Sequence, residues 1–193
     1  MEFLHVNILI IIFLIEVELV VGTIPEHPLV RLCAMAPPTI CFYLGFLSCG
    51  SAYLTTKKKI LPSNMSSTEK GQPWRPALLA FIEDAGGVEG GGGPEFRMSV
   101  MRRWEVSPQF RSMIMWLSWV WGIGFILNGI ASTIIIFLTS EDVGFAVGWG
   151  LPWALAAIQS IWTVPFTRRC TRKEWAEWGT TTTESIKMGS SAV

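Results

Sequence analysis

Between Phe110 and Phe166 the chain holds two long apolar runs, FRSMIMWLSWVWGIGFILNGIASTIIIFLTS and EDVGFAVGWGLPWALAAIQSIWTVPF. Beyond Arg111 the only charged residues in this stretch are Glu141 and Asp142, at the break between the runs. A bilayer core of about 30 Å takes about 20 apolar residues in a helix, and each run is long enough. The break is too short for a soluble connection, so residues 110–166 are expected to form a transmembrane helical hairpin. In lipid, only helices and closed barrels satisfy the backbone. The expected fold is therefore all-α, a polytopic bundle of about four spans with this hairpin at its C-terminal end.

Composition agrees. Half of the 193 residues are apolar and 16% are charged, against about 25% in an average soluble domain. Fifteen basic and fifteen acidic residues cancel, so no bulk field points to nucleic acid. Several of the ten Trp lie near expected helix ends, as in an interfacial belt.

Residues 1–54 offer two further candidate spans. The first runs from about Phe3 to Val21, with Glu16 and Glu18 towards its far end, where a carboxylate costs less than at mid-bilayer. A basic n-region is absent, which favours a span, although a signal anchor and a cleaved signal peptide are the other readings. The second is Cys33–Leu54; Pro37-Pro38 predicts that its helix kinks or begins there. Three of the four Cys (Cys33, Cys41, Cys49) fall in it and read as small apolar residues.

Residues 55–109 read as a polar loop. Pro76 is expected to start a short amphipathic helix through Asp84, and Gly86–Pro94 to form a glycine-rich hinge. That run lacks the GK[ST] of a phosphate-binding loop. Arg97–Trp104 is expected to rest Met98, Val100, Met101 and Trp104 on headgroups. Residues 167–193 read as a basic stop and a disordered Thr/Ser-rich tail.

Lys57, Lys58, Lys59, Lys70, Arg75, Arg97, Arg102, Arg103 and Arg111 gather in or beside the long loop, and Arg168, Arg169, Arg172 and Lys173 follow the hairpin. Arg31 stands alone in the Pro-containing link. The positive-inside rule then places the long loop and both termini in the cytoplasm, where the sequon at Asn64 goes unused.

Small residues recur every four positions in the last run at Gly144, Gly148, Pro152, Ala156 and Ser160. They are expected to pack on Gly124, Asn128, Ala131 and Ser132, because small strips let helices approach closely in lipid. Asn128 is expected to bond across, with Gln159 as candidate partner. The strip is also where a protein partner or second copy is expected, beside the bilayer itself. Glu83, Asp84, Glu89 and Glu95 cluster around the glycine run as weak catalytic candidates; a solvated loop face is the plainer reading. Cys170, beside Arg168-Arg169, is a loose lipidation candidate. Glu83, Asp84, Glu89 and Glu95 could also hold a divalent cation; no His, Cys or other ligand spacing points to a metal, and no pattern points to a cofactor.

Four segments carry a resemblance: RPALLAFIED, GGVEGGGGPEFR, SPQFRSMIMWLSWVWGIGFILNGIA and TSEDVGFAVGW. Through them, from Arg75 to about Cys170, the chain resembles an uncharacterised family of small multi-pass membrane proteins of bacteria and filamentous fungi, distantly similar to intracellular septation protein A. The resemblance implies location and fold, with more spans ahead of the hairpin, and carries over no catalytic residue. Residues 1–74 fall outside it, and Met65 is an alternative start that leaves two spans. The expected role is a non-enzymatic scaffold, accessory or transport function. The alternative is a membrane-embedded cyclase or isomerase acting on a lipophilic intermediate of a fungal biosynthetic pathway, using the four acids above.

Overall fold

The computed structural model describes residues 3–26, 29–62 and 64–190, with side chains through residue 177. The described residues are helical, with two isolated bridges and no strand. In order they form α1 (Phe3–Thr23), α2 (Val30–Cys33), α3 (Ala36–Thr56), α4 (Ala77–Asp84), a π-helical turn (Ala85–Glu89), α5 (Gly93–Val106), α6 (Pro108–Leu138) and α7 (Glu141–Ser190).

Three of these helices are long and apolar enough to cross a membrane: α1, α6 and the Glu141–Glu177 part of α7. Helix α3 has the 21-residue length of α1, but Pro37, Pro38, Ser48, Ser51, Thr55 and Thr56 dilute its apolar content, and it is not among the three. It begins at the Pro pair rather than kinking around it, since Pro in a first turn loses no helical hydrogen bond. Helix α4 likewise starts directly after Pro76.

Helices α1, α3, α6 and α7 lie side by side, and their contacts fix the directions. Along α3 and α6, Phe42 meets Gly129, Gly45 meets Gly122 and Ile126, and the Ser48 hydroxyl donates to Ser118 O at 2.9 Å. Residue number rises on one helix as it falls on the other, so the two are antiparallel. Gly45 and Gly122 are the close approach: a Cβ on Gly45 would sit 2.7 Å from Ile126 Cγ1 and 2.9 Å from Gly122 O. Helices α6 and α7 also run in opposite directions, joined by Thr139-Ser140. Trp121 Nε1 donates to Thr163 at 3.0 Å, and Asn128 Nδ2 to Pro152 O at 3.1 Å. Helix α1 is tied to α3 by polar pairs: the Tyr43 hydroxyl donates to Asn7 Oδ1 at 2.6 Å, and Thr39 to Glu18 Oε1 at 2.5 Å.

The bundle therefore has two distinct ends. At one, Arg31 donates to Phe137 O and Thr139 O at 3.0 and 3.2 Å, closing the C-terminus of α6. At the other, α4 and α5 pack against the start of α6, and Arg103 pairs with Glu174 of α7. The largest core lies here: Leu79, Val100, Phe110, Met113, Ile114 and Leu117, with Met101, Trp104, Phe166 and Cys170 against it. This corrects the expectation for α5. Val100, Met101 and Trp104 point into protein, and of the four residues expected on headgroups only Met98 is left largely exposed.

Helix α7 continues to Ser190, past Gly179 where the sequence reading places a disordered tail. Once a helix is nucleated, each further residue adds a bond, and no Pro interrupts it after Pro165. Residues 191–193 and the side chains beyond 177 lie outside the described residues.

Candidate functional site

Helix α4 buries Ala77, Leu79, Ala80, Glu83 and Asp84. Two adjacent carboxylates thus go inside with the apolar face. Asp84 is fully buried. Its Oδ2 accepts the Leu4 backbone N–H at 2.9 Å, its Oδ1 accepts the Ser66 hydroxyl, and Arg97 Nη2 stands 3.4 Å from Oδ1. Ser66 has a positive φ of 51°, uncommon for a non-Gly residue, in the tight turn that holds its hydroxyl against Asp84. Buried charges are tolerated when paired and hydrogen-bonded, and Asp84 meets that condition.

Glu83 does not. Its side chain is buried, Ser67 N–H donates to the carboxylate, and Oε1 has no hydrogen-bond partner. Burial, reinforced by the charge of Asp84, raises its pKa above the ordinary carboxylate value, while Arg97 and Arg75 oppose the rise. A carboxyl held this way retains its proton more readily than a solvated one.

The glycine run is what lets α5 fold back over this pair. A Cβ on Gly87 would lie 2.7 Å from Arg97 Cγ, so only a bare backbone admits the Arg97 side chain. The segment expected as a hinge is thus a helical turn packed under α5, reversed at Gly91, whose φ is 67°.

The four candidate acids do not converge. Glu89 and Glu95 are exposed; Glu89 stands 3.9 Å from His5, and Glu95 lies in the first turn of α5. What joins Glu83 and Asp84 instead is a pair of arginines, which the sequence reading used only for topology. Arg75 is mostly buried; its Nη1 contacts Met101 Sδ at 3.2 Å and its Nη2 lies 3.5 Å from Glu105. Burial lowers its pKa, against Glu105 and Glu83, which raise it. Arg75 and Arg97 face a cleft of about 330 Å³, together with Ser67, Gln72, Met101 and Glu105. Sequence distance hid this group, because Arg75 and Arg97 lie on opposite sides of the glycine run. Among the described residues no group of three or more His, Cys, Asp and Glu gathers to hold a metal.

The small-residue strip is sorted by helix geometry. Gly144 and Gly148 are buried; a Cβ on Gly144 would lie 2.9 Å from Ile136 O, and one on Gly148 would run into Ala34 and Ile136. Pro152 is buried and accepts from Asn128. Ala156 is half-buried and Ser160 is exposed, its hydroxyl returned to Ala156 O. A four-residue step overshoots one 3.6-residue turn by about 40°, so the far end of the strip rotates away. Gln159 turns inward there. It donates to Val120 O at 3.1 Å and fills the space over Gly124; it is not the partner of Asn128, whose amide bonds Pro152 O and Ser132. Ala131 is half-buried and Ser132 buried. Cys170 is half-buried against the α4–α5–α6 core.

No curated protein and no solved structure matches the chain. A family model, described as a domain of unknown function (DUF8766), matches residues 1–178. The match takes in α1 through α6 and α7 as far as residue 178, the acid–arginine group included, and the chain belongs to that family.

Proposed function

We propose that this chain is a multi-pass integral membrane protein crossing the bilayer four times, through α1, α3, α6 and α7, and that its role is non-enzymatic, as a scaffold or accessory protein. The observation that carries the role is how Asp84 is used. Its oxygens are spent on Leu4, Ser66 and Arg97, while Glu89 and Glu95 lie exposed apart from it. Asp84 acts as an internal tie, and among the described residues the other candidate acids do not join it: Glu83 is buried beside it with an unpartnered oxygen, and Glu89 and Glu95 are exposed. For α3, 21 residues at about 1.5 Å each match a bilayer core, and its lengthwise fit to α6 supports a shared slab. Loop 55–109 and the α7 stop carry most of the positive charge at one end of the bundle, which supports a cytoplasmic assignment for that end and for both termini. Kinship with the septation-protein-like membrane family is part of the same reading.

Glu83 favours a second reading, the cyclase or isomerase acting on a lipophilic intermediate. Such chemistry can use a carboxylic acid that keeps its proton near neutral pH, and burial biases Glu83 that way. The two readings separate by lipid-soluble metabolite profiles of strains carrying Glu83→Gln or lacking the chain. The non-enzymatic role predicts that the Glu83→Gln profile matches wild type. One intermediate accumulating in both strains overturns it in favour of the enzyme.

A further inference from the structure

We propose that the outward face of α1 is a docking surface for a transmembrane helix of another protein, one that carries a lysine or arginine at the depth of Glu16. The inference rests on the membrane reading above and gives the scaffold role a partner of stated chemistry.

Helix α1 is held from one side. Successive residues of a helix step by about 100° around its axis. Asn7 and Glu18 therefore share the face turned to α3, where they meet Tyr43 and Thr39. Leu9, Phe13, Glu16 and Val20 share the opposite face, at the four-three-four spacing of an interhelical seam. All four are exposed, Leu9 and Phe13 at 61% and 66%. An apolar stripe alone would suit lipid as well as protein. Glu16 breaks that equivalence.

Glu16 stands seven residues ahead of Thr23, the last residue of α1, and so about 10 Å from that end. That is well inside a hydrocarbon core of about 30 Å. Lipid tails offer a carboxylate no hydrogen bond, and acids within spans almost always face a bundle interior or pair with another group. Among the described residues no cation meets Glu16.

A second copy does not supply that cation. Helices α1 and α3 hold no Lys or Arg, α6 holds Arg111 in its first turn, and α7 reaches its first at Arg168. Arg111 and Arg168 lie at the end of the bundle away from Thr23. Arg31, at the Thr23 end, is committed to Phe137 O and Thr139 O. The complementary charge therefore comes from a different chain. A basic residue on a helix laid along the stripe would meet Glu16, with Leu9, Phe13 and Val20 packing around the pair and excluding lipid.

The test uses the full chain in phosphatidylcholine vesicles, labelled with a fluorescent acceptor. The probe is a donor-labelled synthetic Leu/Ala transmembrane helix with one Lys about 10 Å inside its apolar stretch. The same helix with Leu in place of that Lys is the control. The inference predicts energy transfer to the Lys helix, with the Leu helix associating at least about tenfold more weakly. Glu16→Gln, at an exposed position, is expected to bring the Lys helix down to the level of the Leu helix. Equal association of the two helices, no association of either, or Lys-helix association unchanged by Glu16→Gln overturns the inference. So does transfer between donor- and acceptor-labelled copies of the chain that Glu16→Gln abolishes, which would assign the face to a second copy. Flotation of the vesicles separates the two readings: a chain left in the aqueous fraction contradicts the membrane reading, and the docking surface falls with it.

Discussion

Asp84 Oδ2 accepts the backbone N–H of Leu4 at 2.9 Å, across 80 residues of sequence. That N–H belongs to the first turn of α1, whose donors have no partner within the helix. A carboxylate there also meets the positive end of the helix dipole. One side chain on α4 thus caps the entering helix, and Phe3 on Phe81, at a ring separation of 5.3 Å, seals the same joint.

Replacing Asp84 with Ala should therefore loosen three elements together. It leaves the Leu4 N–H, the Ser66 hydroxyl and the Arg97 charge without their acceptor. Losing one partner of a buried ion pair costs about 3–5 kcal/mol. Glu95→Ala, at an exposed position, should cost within about 0.5 kcal/mol. Thermal melting of both variants in detergent checks the contrast; equal melting temperatures would mean that the tie adds nothing.

Glu83 predicts a dependence on pH. Its pKa in the folded chain is raised above 4.5 by burial and by Asp84, so the folded state holds this proton more tightly than the unfolded state. The contribution is fully favourable below about pH 4.5 and is lost as pH rises from there through the raised folded value. Glu83→Gln keeps the acceptor and removes the titration. Its melting temperature, compared with wild type at the same pH, should improve as pH is raised from about 4.5 to about 8. A constant difference across that range would show that Glu83 titrates like a solvated acid.

The Gly45–Gly122 contact should be less tolerant than the outer face of α7. Gly45→Leu places a side chain where Ile126 and the Gly122 carbonyl already stand, and overpacking costs about 1–3 kcal/mol. Phe145→Leu, at an exposed position, should cost much less. Asn128→Leu should fall between them, since an interhelical hydrogen bond in lipid averages about 0.6 kcal/mol. A melting series in which Phe145→Leu is the most damaging would invert this packing.

Helix content and the limits of α4 were legible in the sequence, because Pro76 marks a helix start locally. For α3 the Pro37-Pro38 pair left a kink and a start both open, and the span placed at Cys33–Leu54 runs instead over Ala36–Thr56. The apolar runs of α1, α6 and α7 were legible from length alone. The α3–α6 contact was not. Gly45 reads locally as a flexible point, and only its opposite number, Gly122, shows it to be a packing surface. Periodicity in α7 found Gly144, Gly148 and Pro152 but overran to Ser160, because a spacing of four does not stay on one face. The acid cluster was half legible. Adjacency singled out Glu83 and Asp84, yet proximity in sequence wrongly joined Glu89 and Glu95 to them, and the partners that matter, Leu4 and Arg75, lie far away or across a turn.

The central claim is a four-span path with loop 55–109 and both termini on the cytoplasmic face. Sealed microsomes carrying the chain with an epitope at each end, probed with protease before and after permeabilisation, test it most directly. The account predicts that both epitopes are cleaved before permeabilisation and that Asn64 carries no glycan. Epitopes on opposite faces, as three spans require, or a glycan on Asn64, would contradict it.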